Sequence, residues 1–252
     1  MSTQRIDKLL SHEGLGTRKG VKKLLRTQCI TVNGIRTTDA GTQVDPDRDE
    51  VAVDGRRLSL RANIHLMMNK PQDAVSANKD GLHRTVFDLL APEYRTERLR
   101  GALHLVGRLD IDTEGLLVFT TDGALIHRVI SPKSHLPKTY FVRLKNPETE
   151  ERRRQIAGQF SAGIHIAAED NEPEADCRSA EIRWLSSTEA ELTITEGKYH
   201  QVKRMFAAAG NEVAYLKRLS IGALALDPSL APGMYRELSV EEAALLVHGG
   251  ER

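Results

Sequence analysis

The chain has 252 residues, enough for one large domain or for a small domain beside a medium one. A 40% hydrophobic content can fill a core, 28% charged residues mark a soluble protein, and no apolar run reaches the roughly eighteen residues of a membrane span. The net charge of +1 hides an uneven distribution: residues 1–36 hold eight basic side chains against two acidic ones, whereas 45–54 and 169–176 are acidic.

The start, MSTQRIDKLLSHEG, lacks the apolar core of a signal peptide and reads as the beginning of a fold. Cys29 and Cys177 form no CxxC pair, so reduced thiols in a cytoplasmic protein are expected. Two small helices come first. Thr17 is suited to cap a helix running to Thr27, with Val21, Leu24 and Leu25 on one face and Arg18, Lys19, Lys22, Lys23 and Arg26 on the other. That basic face is either an electrostatic footprint for nucleic acid or a solvated surface. Ile30 and Val32 before Asn33-Gly34, and 51–53 before Asp54-Gly55, read as short strands with tight turns. The stretch RIDKLLSHEGLGTRKGVKKLLRTQCITVNG resembles the S4 RNA-binding module. In that role the basic helix would hold phosphates and add affinity without reading bases.

Residues 59–62 read as a linker between an S4-like domain (1–60) and a second domain (64–250). An apolar element from Ile64 stops at Asn69-Lys70-Pro71, because proline cannot continue a ladder. Strands are expected at 103–109, 139–144 and 213–226, and a hairpin at 180–185 and 190–195. Helices are expected at 148–160 (with Asn146 as cap and Pro147 in the first position), 197–209 and 240–247. Strands outnumber helices without regular βαβ alternation, which points to an α+β fold with a mixed, mostly antiparallel sheet and flanking helices.

Three stretches carry chemistry. GRLDIDTEGLLVF places Asp110 and Asp112 one residue apart before an apolar run. The pair is a solvated turn, a metal-binding DxD, or the seat of one ionised carboxylate acting as nucleophile or base beside a cation. No glycine-rich phosphate loop accompanies it, and Arg108 and the Lys203-Arg204 pair are candidate cations. EGKYHQVKRMF reads as an amphipathic helix with Val202, Met205 and Phe206 inward; His200 has no partner at zinc-like spacing, so no metal site is assigned. Tyr140 in KTY is either sheet packing or a stacking platform for a base.

MNKPQDAVSA, GRLDIDTEGLL, KTY, GKYHQVKRM and LKRLSIGALAL stand in the order seen in the RsuA-type pseudouridine synthases, which also carry an N-terminal S4 module. The resemblance runs over nearly the whole chain. It implies isomerisation of a uridine in ribosomal RNA, with neither metal nor cofactor, by a monomeric cytoplasmic enzyme acting on an assembly intermediate of the small subunit. It places the nucleophile at Asp110, its cationic partner at Lys203 with Arg204 beside it, and the stacking tyrosine at Tyr140; Asp112 inherits no catalytic role. RNA contacts are expected from Arg18, Lys19, Lys22, Lys23 and Arg26, and from Lys70, Arg108, Lys198 and His200. The family often has glycine where this chain has Asp73, and arginine in many wider relatives at Lys203. Tyr199-His200 favours 16S over 23S rRNA as substrate; a non-catalytic RNA-binding assembly factor is the alternative.

Overall fold

A computed structural model describes residues 3–46, 48–58, 63–95, 103–131 and 133–248. The chain forms two compact units, one ending at Ile64 and the next beginning at His65. The expected linker, 59–62, lies outside the described residues.

In the first unit, helices Ile6–His12 and Arg18–Thr27 pack on a four-stranded sheet of order Ile35–Arg36, Ile30–Val32, Val51–Val53, Arg56–Leu58. The second helix starts where sequence places it, because the Thr17 hydroxyl accepts a bond from the Gly20 amide at 3.1 Å. Val21 and Leu25, one turn apart, are fully buried with Ile6, Leu9, Leu10 and Ile30. Arg18, Lys19, Lys22, Lys23 and Arg26 are all exposed. Both hairpins turn through paired left-handed residues, Asn33 (φ 51°) with Gly34 (φ 77°) and Asp54 (φ 47°) with Gly55 (φ 80°). Such turns match the twist of the strands they join.

The second unit is built on a nine-stranded mixed sheet. Its main path runs Glu181–Trp184, Glu189–Ile194, Lys138–Leu144, Val213–Ile221, Glu114–Thr120, His65–Lys70, Tyr235–Glu237. Only the pair Val213–Ile221 with Glu114–Thr120 is parallel; the other pairings are antiparallel. The α+β expectation therefore holds. Six consecutive residues of His65–Lys70 and six of Glu114–Thr120 are buried, so these central strands are covered on both faces. Leu116 and Val118 pack with Leu125 and Val129 of helix Gly123–Ile130. Phe119, pointing the opposite way, meets Phe87 edge to face at 5.2 Å.

Element boundaries moved where backbone chemistry overrode periodicity. The strand expected at 103–109 shrinks to His104–Leu105: Gly107 turns at φ 80°, and both backbone groups of Leu109 bond the Ser76 hydroxyl. Thr149, not Asn146, caps the helix Glu150–Ala162. The helix expected from Gly197 begins at Gln201, because His200 is left-handed at φ 47°. Gly222 (φ 58°) breaks the long last strand into Val213–Ile221 and Leu224–Ala225.

Candidate active site

The turn Asp110–Thr113, closed by a backbone bond of 3.1 Å, carries both acids. Three devices hold it. Lys70, at the end of its strand and 0% exposed, donates from Nζ to the carbonyls of Pro71 (2.9 Å), Ile111 (3.2 Å) and Thr113 (2.8 Å). Arg218, 2% exposed, donates from Nε to Leu116 O (2.8 Å) and from Nη1 to Arg108 O (3.4 Å), gripping the chain on both sides of the turn. Gly115 permits this closeness: at φ 103°, a Cβ there would lie 2.2 Å from the Arg218 carbonyl oxygen. The turn is thus held through backbone carbonyls by buried cations from two strands. Burial pushes the Lys70 ammonium down to about 8, against the opposing pull of Asp110, Asp112, Glu114 and Asp73.

Asp73 sits at φ 62° and its amide donates to Ile111 O at 3.0 Å. This left-handed position explains the glycine common in the family. Aspartate tolerates the conformation better than most residues, so the loop contact survives the replacement.

Helix Gln201–Ala208 faces the turn with Lys203. Its Nζ lies 3.3 Å from Asp110 Oδ2 and 2.7 and 2.9 Å from the two oxygens of Asp112. A protein ammonium therefore bridges the two carboxylates where a dication of a DxD site would sit. Burial raises the Asp112 carboxyl, but the bond and charge of Lys203, helped by His200, outweigh it and the net shift is downward. His200 completes the site: Nε2 is 3.8 Å from Asp110 Oδ1 and Nδ1 is 3.3 Å from Glu169 Oε2.

Tyr140, 8% exposed, lies on Lys138–Leu144 and is the register partner of Arg218. The tyrosine's strand neighbour thus reaches the backbone two residues before Asp110. In the same motif, Lys138 donates to Leu136 O at 3.2 Å, and burial, reinforced by Arg218, pushes it down to about 8.

The comparisons with known proteins give the family. The RNA pseudouridylate synthase family matches residues 64–208, and the S4 domain matches 4–51. An RNA pseudouridine synthase of Bacillus subtilis, YtzG, is 48% identical over 244 residues, 96% of this chain and 98% of the relative. Ribosomal small subunit pseudouridine synthase A of Escherichia coli is 40% identical over 245 residues, covering 96% of this chain and all of its own. The chain belongs to the RsuA-type pseudouridine synthases. A crystal structure of a pseudouridylate synthase superposes at a TM-score of 0.65 with 36% identity, over 96% of this chain and 99% of that one.

Within this pseudouridine synthase, two expected roles are corrected, those of Arg204 and Lys70. Arg204 does not reach Asp110: its guanidinium, 7% exposed, donates to the carbonyls of Ala167, Pro173 and Tyr199. Lys70 is sealed from solvent and holds the turn rather than RNA. The Lys198 ammonium is engaged by the Glu196 carboxylate. Arg108 remains exposed. Arg218 stood inside LKRLSIGALAL with no role of its own, and Asp112, expected to have no catalytic role, is the nearer partner of Lys203. A signal for Arg218 existed, since it shares the inward alternation of Leu216 on its strand.

Proposed function

We propose that this enzyme isomerises a uridine of small-subunit ribosomal RNA, with Asp110 as nucleophile. The support is twofold: full-length similarity to relatives named for the small ribosomal subunit, and the ion pair of Asp110 with Lys203 at 3.3 Å. Residues 1–60 hold the RNA and 64–250 carry the chemistry. The target nucleotide is extruded from its stack at a cost of roughly a few kcal/mol, offset by stacking on Tyr140. Asp110 opens the reaction, the N1–C1′ bond breaks, the base turns, and C5 bonds to C1′. The proton leaving C5 is balanced by one gained at N1, so the product is an isomer of the substrate.

Lys203 places a positive charge 3.3 Å from the Asp110 carboxylate for this step. As a point charge it reaches two carboxylates at once, which suits a lysine where many wider relatives carry arginine. The enzyme works as a cytoplasmic monomer on an assembly intermediate. Among the described residues no helix is long and apolar enough to cross a membrane.

Incubating the protein with 16S and 23S rRNA, followed by carbodiimide adduct mapping, tests the substrate. A single new adduct position in 16S rRNA is expected; modification confined to 23S rRNA would overturn the assignment. The basic helix makes a separate prediction. Replacing Lys22 and Lys23 by alanine should flatten the dependence of log Kd on log salt by about 0.7–0.9 per lost phosphate contact. An unchanged slope would leave Arg18–Thr27 as a solvated surface only.

A further inference from the structure

The acidic segment 169–176, which the reaction does not use, lies against His200, the neighbour of Asp110. Strands His165–Ile166 and Ala175–Asp176 pair, and Glu169 and Glu172 close the tip with reciprocal backbone bonds of 3.0 and 2.9 Å. Five carboxylates (Glu169, Asp170, Glu172, Glu174 and Asp176) fall in eight residues, with no Lys or Arg among them. The hairpin is held from beneath. Buried Arg204 bonds Ala167 O on one arm (2.6 and 3.1 Å) and Pro173 O on the other (2.7 Å), so the tip carboxylates occupy set positions.

Those positions adjoin the catalytic turn. Glu169 Oε2 lies 3.3 Å from His200 Nδ1, and the same imidazole stands 3.8 Å from Asp110 on its other side. Asp170 Oδ2 accepts from the Tyr199 hydroxyl at 2.8 Å, and the Tyr199 ring stacks on His200 at 3.8 Å. The Tyr199 hydroxyl is pushed up first by its bond to Asp170, with Glu169 and Asp110 adding to the effect. Three carboxylates besides the nucleophile (Asp112, Glu169 and Asp170) therefore stand on the side chains around Asp110. For an enzyme of RNA this is costly, since every phosphodiester carries a negative charge. A nucleobase carries none.

We propose that Glu169 and Asp170 form a charge filter that admits a flipped, neutral base to Asp110 and turns away the phosphodiester backbone. RNA that cannot extrude its uridine then gains no hold at this side of the site. The filter determines specificity by repulsion, the route by which a surface rejects wrong partners without tightening on the right one. It rests on the reading that RNA enters at Asp110.

The test compares wild type with the Glu169→Gln, Asp170→Asn double variant, which preserves shape and hydrogen bonding. The substrates are 16S rRNA and a fully paired RNA duplex of mixed sequence, whose uridines stay stacked. The variant's preference for rRNA over the duplex, read as the ratio of their Kd values, should fall about three- to tenfold, through tighter binding of the duplex. The gain should shrink as salt rises. Glu172→Gln with Glu174→Gln, on the hairpin but away from His200 and Tyr199, should give less than half that gain. A preference that is unchanged, or that falls through loss on rRNA alone, would overturn the filter, as would an equal gain in the second variant. Wild-type product that persists in Asp110→Asn would instead sink the reading beneath it.

Discussion

Asp110→Asn should abolish pseudouridine formation, by at least about 10³-fold, while Kd for rRNA stays within about threefold. The geometry explains why the two readouts separate. Lys203 keeps both oxygens of Asp112 at 2.7 and 2.9 Å, so removing the Asp110 charge leaves no orphaned ammonium and the helix stays seated. The asparagine has nearly the same volume, and the turn is held by Lys70 and Arg218 through backbone carbonyls rather than through the Asp110 side chain. Asp112→Ala is the contrasting variant: it should retain product, because Asp110 remains to hold Lys203. Carbodiimide mapping and filter binding on the same preparations decide the matter. Product from Asp110→Asn at more than a few per cent of wild type would remove the nucleophile assignment.

Lys70→Met should lower kcat by about 10²-fold with a smaller change in KM. Three carbonyls lose their donor at once, and misplacement of a reacting group by about 1 Å costs that much. The variant also makes a prediction about pH. Below about 8 the Lys70 amine is protonated in both folded and unfolded chains, and the full penalty of burying it is present. Between about 8 and 10.5 the unfolded chain holds a proton the folded chain has released, so stability rises with pH by at most about 3 kcal/mol; above 10.5 the amine is neutral in both. Methionine has no such proton. The stability of wild type minus that of Lys70→Met should therefore climb from pH 8 toward 10.5 in urea unfolding. Lys138 titrates in the same window but is present in both proteins and cancels in the difference. A flat difference would mean that Lys70 ionises as a solvated amine.

Local pattern gave several of the elements that carry the candidate site, while the roles expected of Asp110, Lys203 and Tyr140 came from the resemblance to the family. The helix at Arg18–Thr27 follows from a capping threonine and two apolar residues one turn apart. KTY alternates correctly on its strand. What pattern could not resolve was which of two adjacent cations faces Asp110. Lys203 and Arg204 are about 100° apart on a helix, and only the placement of the hairpin below it sends Arg204 to Ala167 and Pro173. Lys70, expected to contact RNA, is instead 0% exposed, because its strand is covered on both faces.

Local sequence by itself determined the basic helix with its cap, the tight turns at Asn33-Gly34 and Asp54-Gly55, and the turn that follows Leu109. These depend on neighbours in the chain, whose spacing fixes capping, amphipathicity and turn conformation. Tertiary structure alone decided that Lys203 bridges Asp110 and Asp112, across 93 and 91 residues, and that Lys70 and Arg218 hold the turn from distant strands. It also brought an acidic hairpin against His200. Charge pairing and carbonyl clasping act through space over a few ångströms, and the register of a mixed sheet sets which distant residues come that close.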